Sequence, residues 1–248
     1  MSTAPSGVLV VTGTGTGVGK TTVTAAVAAL CVAAGRSVAV VKAAQTGAVA
    51  GEPADVEEIR RLTGLKAQAV RELARYPLAL APATAARLSG LAPLDLDECA
   101  GVVQDLARSH DLVLVEGAGG LLVRLADGEL GRRTLADLAA SLGAAVLVVA
   151  EPGLGTLNHT TLTVEALAAR ELTCAAVVLG HWPADPDLAC RSNIGDLEAV
   201  LGAPLGGALP EHMGLLAPRQ FRAAAAGALG PGLGGTFDAA DFRRKHAP

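Results

Sequence analysis

The run Gly13-Thr14-Gly15-Thr16-Gly17-Val18-Gly19-Lys20-Thr21-Thr22 constrains the chain more than any other stretch. An apolar segment, Val8 to Val11, leads into it, and a long Ala-rich helical pattern, Thr21 to Ala34, leads out. Strand, glycine loop, Lys-Thr and helix together make a phosphate-binding loop. Glycines let successive backbone N–H groups turn inward, and the new helix points its positive end at the same spot. A polyphosphate can sit there with few charged side chains, Lys20 neutralising its outer phosphates and the Thr21 hydroxyl holding a magnesium ion. The common loop places four residues between its first glycine and the Gly-Lys pair. Here five residues separate Gly13 from Gly19, so the loop is one residue longer.

The loop demands a buried parallel sheet around it, and the composition can supply one. Apolar residues make up 51% of the 248, mostly Ala, Leu and Val. Near-continuous apolar strands recur between helical patterns, which predicts an α/β fold: a mostly parallel sheet covered by helices on both faces. No repeat and no linker interrupts the alternation, so residues 1–248 read as a single P-loop domain. Aromatics are only 2% and net charge is −4 without a long basic block, which argues against nucleic-acid and anionic-membrane partners. Cys31, Cys99, Cys174 and Cys190 are widely spaced, with no C-x-x-C pair. They read as reduced thiols of a cytoplasmic protein rather than as disulfides or a zinc site. No secretory signal and no membrane span are expected.

In a sheet of this kind ligands gather at the carboxyl ends of the strands. Ser37 to Val41 reads as a strand that delivers Lys42 and Ala43-Ala44-Gln45-Thr46-Gly47 to that edge. Ala48 to Ala54 reads as a small-residue loop, and Asp55 opens a helix, Val56 to Leu62, stopped by Gly64. Alone, Asp55 is an N-cap or first-turn carboxylate. Residues 65–93 are Ala/Pro-rich, with a short helix after Pro82. Asp95 and Asp97 start a helix that runs to about Ser109. The strand Asp111 to Val115 carries Glu116 to its tip, before Gly117-Ala118-Gly119-Gly120. An acidic residue there contacts magnesium directly or through water, or else makes a turn.

Helix Thr134 to Leu142 and strand Ala144 to Ala150 lead to Gly155-Thr156-Leu157-Asn158-His159, a helix start suited to a second anion such as a carboxylate. His159 reads as a surface or capping residue. Strand Cys174 to Leu179, helix Asp187 to Leu201 and strand Pro204 to Leu209 follow, the last ahead of Pro210-Glu211-His212. Arg219 to Ala226 reads as helix, Gly230 to Gly235 as flexible, Phe237 to Phe242 as a docked final turn, and Arg243-Arg244-Lys245-His246 as a solvated tail.

Four of these motifs, in this order, resemble those of the dethiobiotin synthetases of biotin biosynthesis: Val11 to Thr21, Lys42-Ala43-Ala44-Gln45-Thr46-Gly47, Val115-Glu116-Gly117-Ala118-Gly119-Gly120 and Gly155-Thr156-Leu157-Asn158-His159-Thr160. That family carries the same lengthened loop, and the likeness extends from residue 7 to about residue 212. It implies a reaction in which CO2, drawn from bicarbonate, adds to one amine of 7,8-diaminononanoate. ATP phosphorylates the carbamate, and the second amine closes the cyclic urea with release of ADP and phosphate. It also implies site roles. Thr16, Lys20 and Lys42 meet the carbamate and the transferring phosphate. Gly17, Val18, Gly19, Lys20, Thr21, Thr22, Asp55, Glu116, Gly117, Ala118, Gly119, Gly180, Pro210 and Glu211 surround the nucleoside triphosphate. Thr21, Asp55 and Glu116 hold Mg2+, Thr46 holds the diamine, and Leu157 and Asn158 meet the substrate carboxylate across a homodimer interface.

Two departures stand out. Gly180 replaces the Asn that commonly reads adenine, which points to relaxed base selectivity. Lys-Ala-Ala replaces the frequent Lys-Pro-Val after the second strand. Two other readings stay open. One is a nucleotide-switch ATPase of the partitioning or division-site type, although Gly15 stands where those proteins carry an extra lysine. The other is a different P-loop ligase of cofactor synthesis.

Overall fold

The computed structural model describes residues 4–47, 54–128 and 131–248. Strand β1 (Gly7–Gly13) runs into the loop, from which helix α1 (Lys20–Ala33) emerges. Then come β2 (Val38–Lys42), β3 (Gln45–Thr46), α2 (Asp55–Thr63), β4 (Val70–Glu72), β5 (Arg75–Tyr76), α3 (Pro82–Ser89) and α4 (Leu96–Ala107). The middle of the chain forms β6 (Leu112–Gly120), β7 (Arg124–Gly128), β8 (Gly131–Thr134), α5 (Leu135–Leu142), β9 (Ala145–Ala150) and α6 (Thr156–Ala168). It closes with β10 (Cys174–Trp182), α7 (Leu188–Leu201), β11 (Gly207–Pro210), α8 (Pro218–Ala228) and α9 (Ala239–His246).

Seven strands form one sheet in the order β11-β10-β9-β1-β6-β2-β4, and every pairing in it is parallel. The expected α/β architecture is therefore the observed one. Alternate residues of each central strand feed opposite cores, as a period of two requires. Val10, Val113, Val115, Val146 and Val148 face the side covered by α3 to α7. Leu9, Val11, Leu112, Leu114, Leu147 and Val149 face the side covered by α1, α2 and α8. Both faces are dry, which is why these strands read as unbroken apolar runs. Local signals start the helices where the side chains predict. Asp95 accepts from the Asp97 and Glu98 amides, Asp187 from Cys190, and Asp137 Oδ2 accepts from both the Thr134 amide and the Thr134 hydroxyl.

Several boundaries differ from expectation. Residues 65–93 hold two short strands besides α3, and β7 pairs with β8 in an antiparallel ribbon. β10 does not stop at Leu179 but continues to Trp182, and β11 begins only at Gly207. The stretch expected to be flexible contains a 310 turn, Pro231–Leu233, fastened by Gly235 N–H to the Gly230 carbonyl and Thr236 N–H to that of Ala226. Arg243 to His246 is not a tail but the last turn of α9. Arg243 pairs with Glu198 at 2.6 Å, and Phe242 packs edge-on to Trp182 at 4.9 Å between centroids. The loop expected over Ala48 to Ala54 lies outside the described residues up to position 53.

Candidate active site

The carboxyl ends of β1, β2 and β6 converge on a cavity of about 560 Å3. The first wall is the glycine loop. Gly19 has φ +96°, a left-handed conformation, and a Cβ there would lie 2.6 Å from the Gly180 carbonyl oxygen. Only glycine serves both demands. Lys20 heads α1 with its amine turned back onto the Gly15 carbonyl at 2.8 Å.

The second wall follows from strand register. Lys42 is the in-register partner of Glu116 on the neighbouring parallel strand, so both side chains reach the same edge. The Lys42 amine donates to Glu116 Oε1 at 2.7 Å and to the Gly117 carbonyl at 3.2 Å, and lies 2.6 Å from Asp55 Oδ2. The Thr21 hydroxyl donates to the same Glu116 oxygen at 2.9 Å. Glu116 is fully buried and Lys42 nearly so. Burial pushes the Lys42 ammonium toward a lower pKa, but Glu116 and Asp55 outweigh it and hold the group above its ordinary value. Lys20 goes the other way. Burial lowers it first, the positive charge of Lys42 adds to that, and Glu116 and Asp55 offset only part.

Of the residues the sequence nominates, Thr16, Gly17, Gly19, Lys20, Thr21, Lys42, Thr46, Asp55, Glu116, Ala118 and Gly119 line this cavity. Val18 is buried beneath the loop. Gly117 backs onto Leu135, where a Cβ would overlap the side chain. Gly180 passes under the loop so closely that a Cβ would overlap the Val18 carbonyl oxygen. Thr22 does not line the cavity, and its hydroxyl lies near Gly214. Pro210 and Glu211 stand at the end of β11, where Glu211 N–H donates to the Trp182 carbonyl at 2.8 Å. Leu157 and the exposed Asn158 open α6 and do not line the cavity.

Sequence reading missed part of the wall. Ala79, Leu80, Ala81, Pro82 and Val123 give it an apolar side. Gln45 lines it too, and its side-chain oxygen accepts the Asp55 amide at 3.4 Å. The Lys42 to Gly47 motif already contained Gln45, whereas nothing in the Ala/Pro-rich stretch marked residues 79–82 beyond the helix start at Pro82.

The donor set fits a hard divalent cation. Thr21, Asp55 and Glu116 offer only oxygens, and the buried Glu116 Oε2 has no hydrogen-bond partner among the described residues. No cluster of three or more His, Cys, Asp or Glu exists among the described residues. Thr21, Asp55 and Glu116 would supply part of a coordination shell, as suits a magnesium ion that shares its ligands with phosphates.

A family model described as an AAA domain matches residues 7–219. An ATP-dependent dethiobiotin synthetase of Frankia casuarinae is 59% identical over 96% of this chain and 98% of its own. One from Streptomyces avermitilis is 58% identical over 97% and 99%. The chain belongs to the ATP-dependent dethiobiotin synthetase family. Solved structures with a similar fold include a ParA family ATPase from Chlorobium tepidum, at 14% identity with a TM-score of 0.54 over 89% of this chain and 91% of that one. The MinD cell division protein of Aquifex aeolicus aligns at 16% identity with a TM-score of 0.51 over 88% and 87%. At such identities the likeness is one of fold only, and it confirms the P-loop architecture. The synthetases match in sequence along nearly the whole chain.

Proposed function

We propose that this chain carries out the family's reaction, the ATP-dependent carboxylation and ring closure of 7,8-diaminononanoate with CO2 to dethiobiotin. The observation that carries the reading is the convergence of Lys20, Lys42, Thr21, Asp55 and Glu116 on one cavity. The carbamate and the γ-phosphate are both anions that must approach in line. Phosphoryl transfer needs neutralisation and positioning more than covalent catalysis. Lys20 and Lys42 supply positive charge to the cavity, which Thr16 also lines. Magnesium bound by Thr21, Asp55 and Glu116 would neutralise phosphate charge. Thr46 holds the diamine, and the apolar side formed by Ala79 to Pro82 and Val123 suits its methylene chain. When the second amine attacks the carbamoyl carbon, phosphate leaves and the urea ring closes.

The remaining assignments belong to the same proposal. The loop amides and the Gly117 to Gly119 segment hold the phosphates, and Pro210 and Glu211 border the base. Because Gly180 offers no side chain, base selectivity is relaxed, with ATP preferred over CTP or GTP by less than about a hundredfold. The enzyme works in the cytoplasm as a homodimer in which Leu157 and Asn158 of one copy meet the substrate carboxylate in the other. The test is mass-spectrometric detection of dethiobiotin, with ADP release that depends on both diaminononanoate and bicarbonate. ADP release that ignores either substrate would favour a nucleotide switch or a different ligase.

A further inference from the structure

Three oxygen-bearing side chains gather around Glu116 Oε1 in the cavity: Glu116 itself, Asp55, whose Oδ2 shares the Lys42 ammonium with it, and Thr21, whose hydroxyl donates to it. The Lys42 ammonium already bridges the two carboxylates, at 2.6 and 2.7 Å. Glu116 Oε1 serves it and Thr21 at once. The same groups are the ones suited to a divalent cation, so the chain carries its own monovalent cation at the place of the metal. Asp55 and Glu116 carry two negative charges, and Lys42 and Lys20 two positive ones. A divalent ion on the same oxygens would face an ammonium in contact distance of both carboxylates. Lys42 and Glu116 are buried, so repulsion beside them is weakly screened, and Lys42 is the mobile partner, a single charge on a flexible four-carbon stem. Glu116 cannot retreat, because it is fully buried on the central strand β6.

We propose that Lys42 and the divalent cation exchange for the Asp55–Glu116 pair. Arrival of the metal with its nucleotide releases the Lys42 amine from the carboxylates into the cavity, where the reacting anions meet. Metal loading and arming of the lysine are then a single event, and Lys42 is kept from the anionic substrate until the phosphates are in place. This inference rests on the site assignments of the proposed function and adds an order of events to them.

The exchange is tested by Mn2+ alone, without nucleotide, titrated into the full chain and followed by the electron paramagnetic resonance of the free ion. Lys42→Met should bind Mn2+ about tenfold more tightly than wild type or better, a coupling of ordinary size. Adding Asp55→Asn to that variant should erase the gain. Lys42→Gln keeps a neutral donor for Glu116 and should tighten Mn2+ binding in the same direction, which covers the case of a poorly folding Met variant. A second readout is thermal: millimolar Mg2+ should raise the melting temperature of either variant more than that of wild type. Equal or weaker Mn2+ affinity in both variants overturns the exchange, as does tightening that survives loss of Asp55. Dethiobiotin formation by the wild type is a separate observation. Its failure would remove the proposed reaction and leave the affinity comparison standing, whereas unchanged affinities beside normal product formation would remove only the exchange.

Discussion

Burial holds the Lys20 ammonium below its ordinary value, because the Gly15 carbonyl at 2.8 Å does not replace the water it has lost. Lys42 is buried more deeply and yet is raised, because Glu116 and Asp55 both touch it. The two residues therefore affect stability with opposite signs. With its folded value depressed, Lys20 loses its proton earlier in the native chain than in the unfolded one. The unfolded state binds more protons there, and stability from this residue rises with pH toward 10.5. Lys42 contributes stability that is fully present below 10.5 and lost as pH climbs through its higher folded value. In protein free of nucleotide and metal, Lys20→Met is expected to raise the melting temperature, by about 1 kcal/mol of stability, at the expense of nucleotide binding. Lys42→Met leaves two carboxylates without their cation and should cost about 3 kcal/mol. Calorimetry across alkaline pH checks the pair: the gap between wild type and Lys42→Met should close above pH 10.5. A gap that stays constant there would mean that the ion pair adds nothing.

At the scale of elements, the loop is held from below by a strand far away in sequence. β10 crosses beneath Val18 and Gly19 at Gly180, where a Cβ would overlap the Val18 carbonyl oxygen and come within 2.6 Å of a Val149 methyl. Gly180→Ala must therefore lift the loop. Turnover is expected to fall by about a hundredfold, since small displacements of phosphate-positioning groups are costly, and ATP affinity should weaken with it. Titration calorimetry and steady-state kinetics together check this; wild-type values in both would show that the loop is not set by that contact. Another brace joins α2, whose first residue is Asp55, to the turn after β11. Arg61 donates to the Gly214 carbonyl and, at 3.1 Å, to that of Leu216, while Glu58 holds its guanidinium. Arg61→Ala should raise KM for the nucleotide several-fold with little change in kcat, and a fall in melting temperature with unchanged KM would leave Arg61 a purely structural role. Neither brace was legible in the sequence. The strand tips at Lys42 and Glu116 were, because glycines and charges interrupt otherwise continuous apolar runs there. β4, β5 and the β7–β8 ribbon were not, because they are two to five residues long and lack an apolar repeat. The strand before Gly180 read as ending at Leu179 because a glycine normally interrupts a strand pattern, whereas here Gly180 lies within β10 and makes room for another backbone. The basic run of α9 hid a helix whose docking depends on Phe242 and His246, one turn apart, against Trp182.

For the whole molecule, the pair assigned to an interface between copies, Leu157 and Asn158, lies outside the cavity lining, as do Val18, Thr22, Gly117, Gly180, Pro210 and Glu211. The other eleven nominated residues line it. Leu157 and Asn158 lie in the first turn of α6, with Leu154 just ahead of that helix 91% exposed, and Leu162 on the same helix and Leu188 at the head of α7 are exposed as well. A run of large apolar side chains in water around a helix start that favours anions is what an interface between two copies needs. A second copy seated there would hide the leucines and add the N-terminus of its α6 to the neighbouring cavity, where it could hold a carboxylate. The expected state is a dimer by sedimentation equilibrium, with a total buried area of roughly 1,200 Å2 or more. Leu154→Asp should shift that equilibrium toward monomer. If the partner's helix start completes the substrate site, the same change should raise KM for diaminononanoate by about tenfold while leaving ATP affinity near wild type, since every nominated residue lining the phosphate cavity comes from one chain. A monomeric variant with unaltered KM for the diamine would place the carboxylate contact within a single copy. A dimer that persists despite the new charge would place the interface on another face.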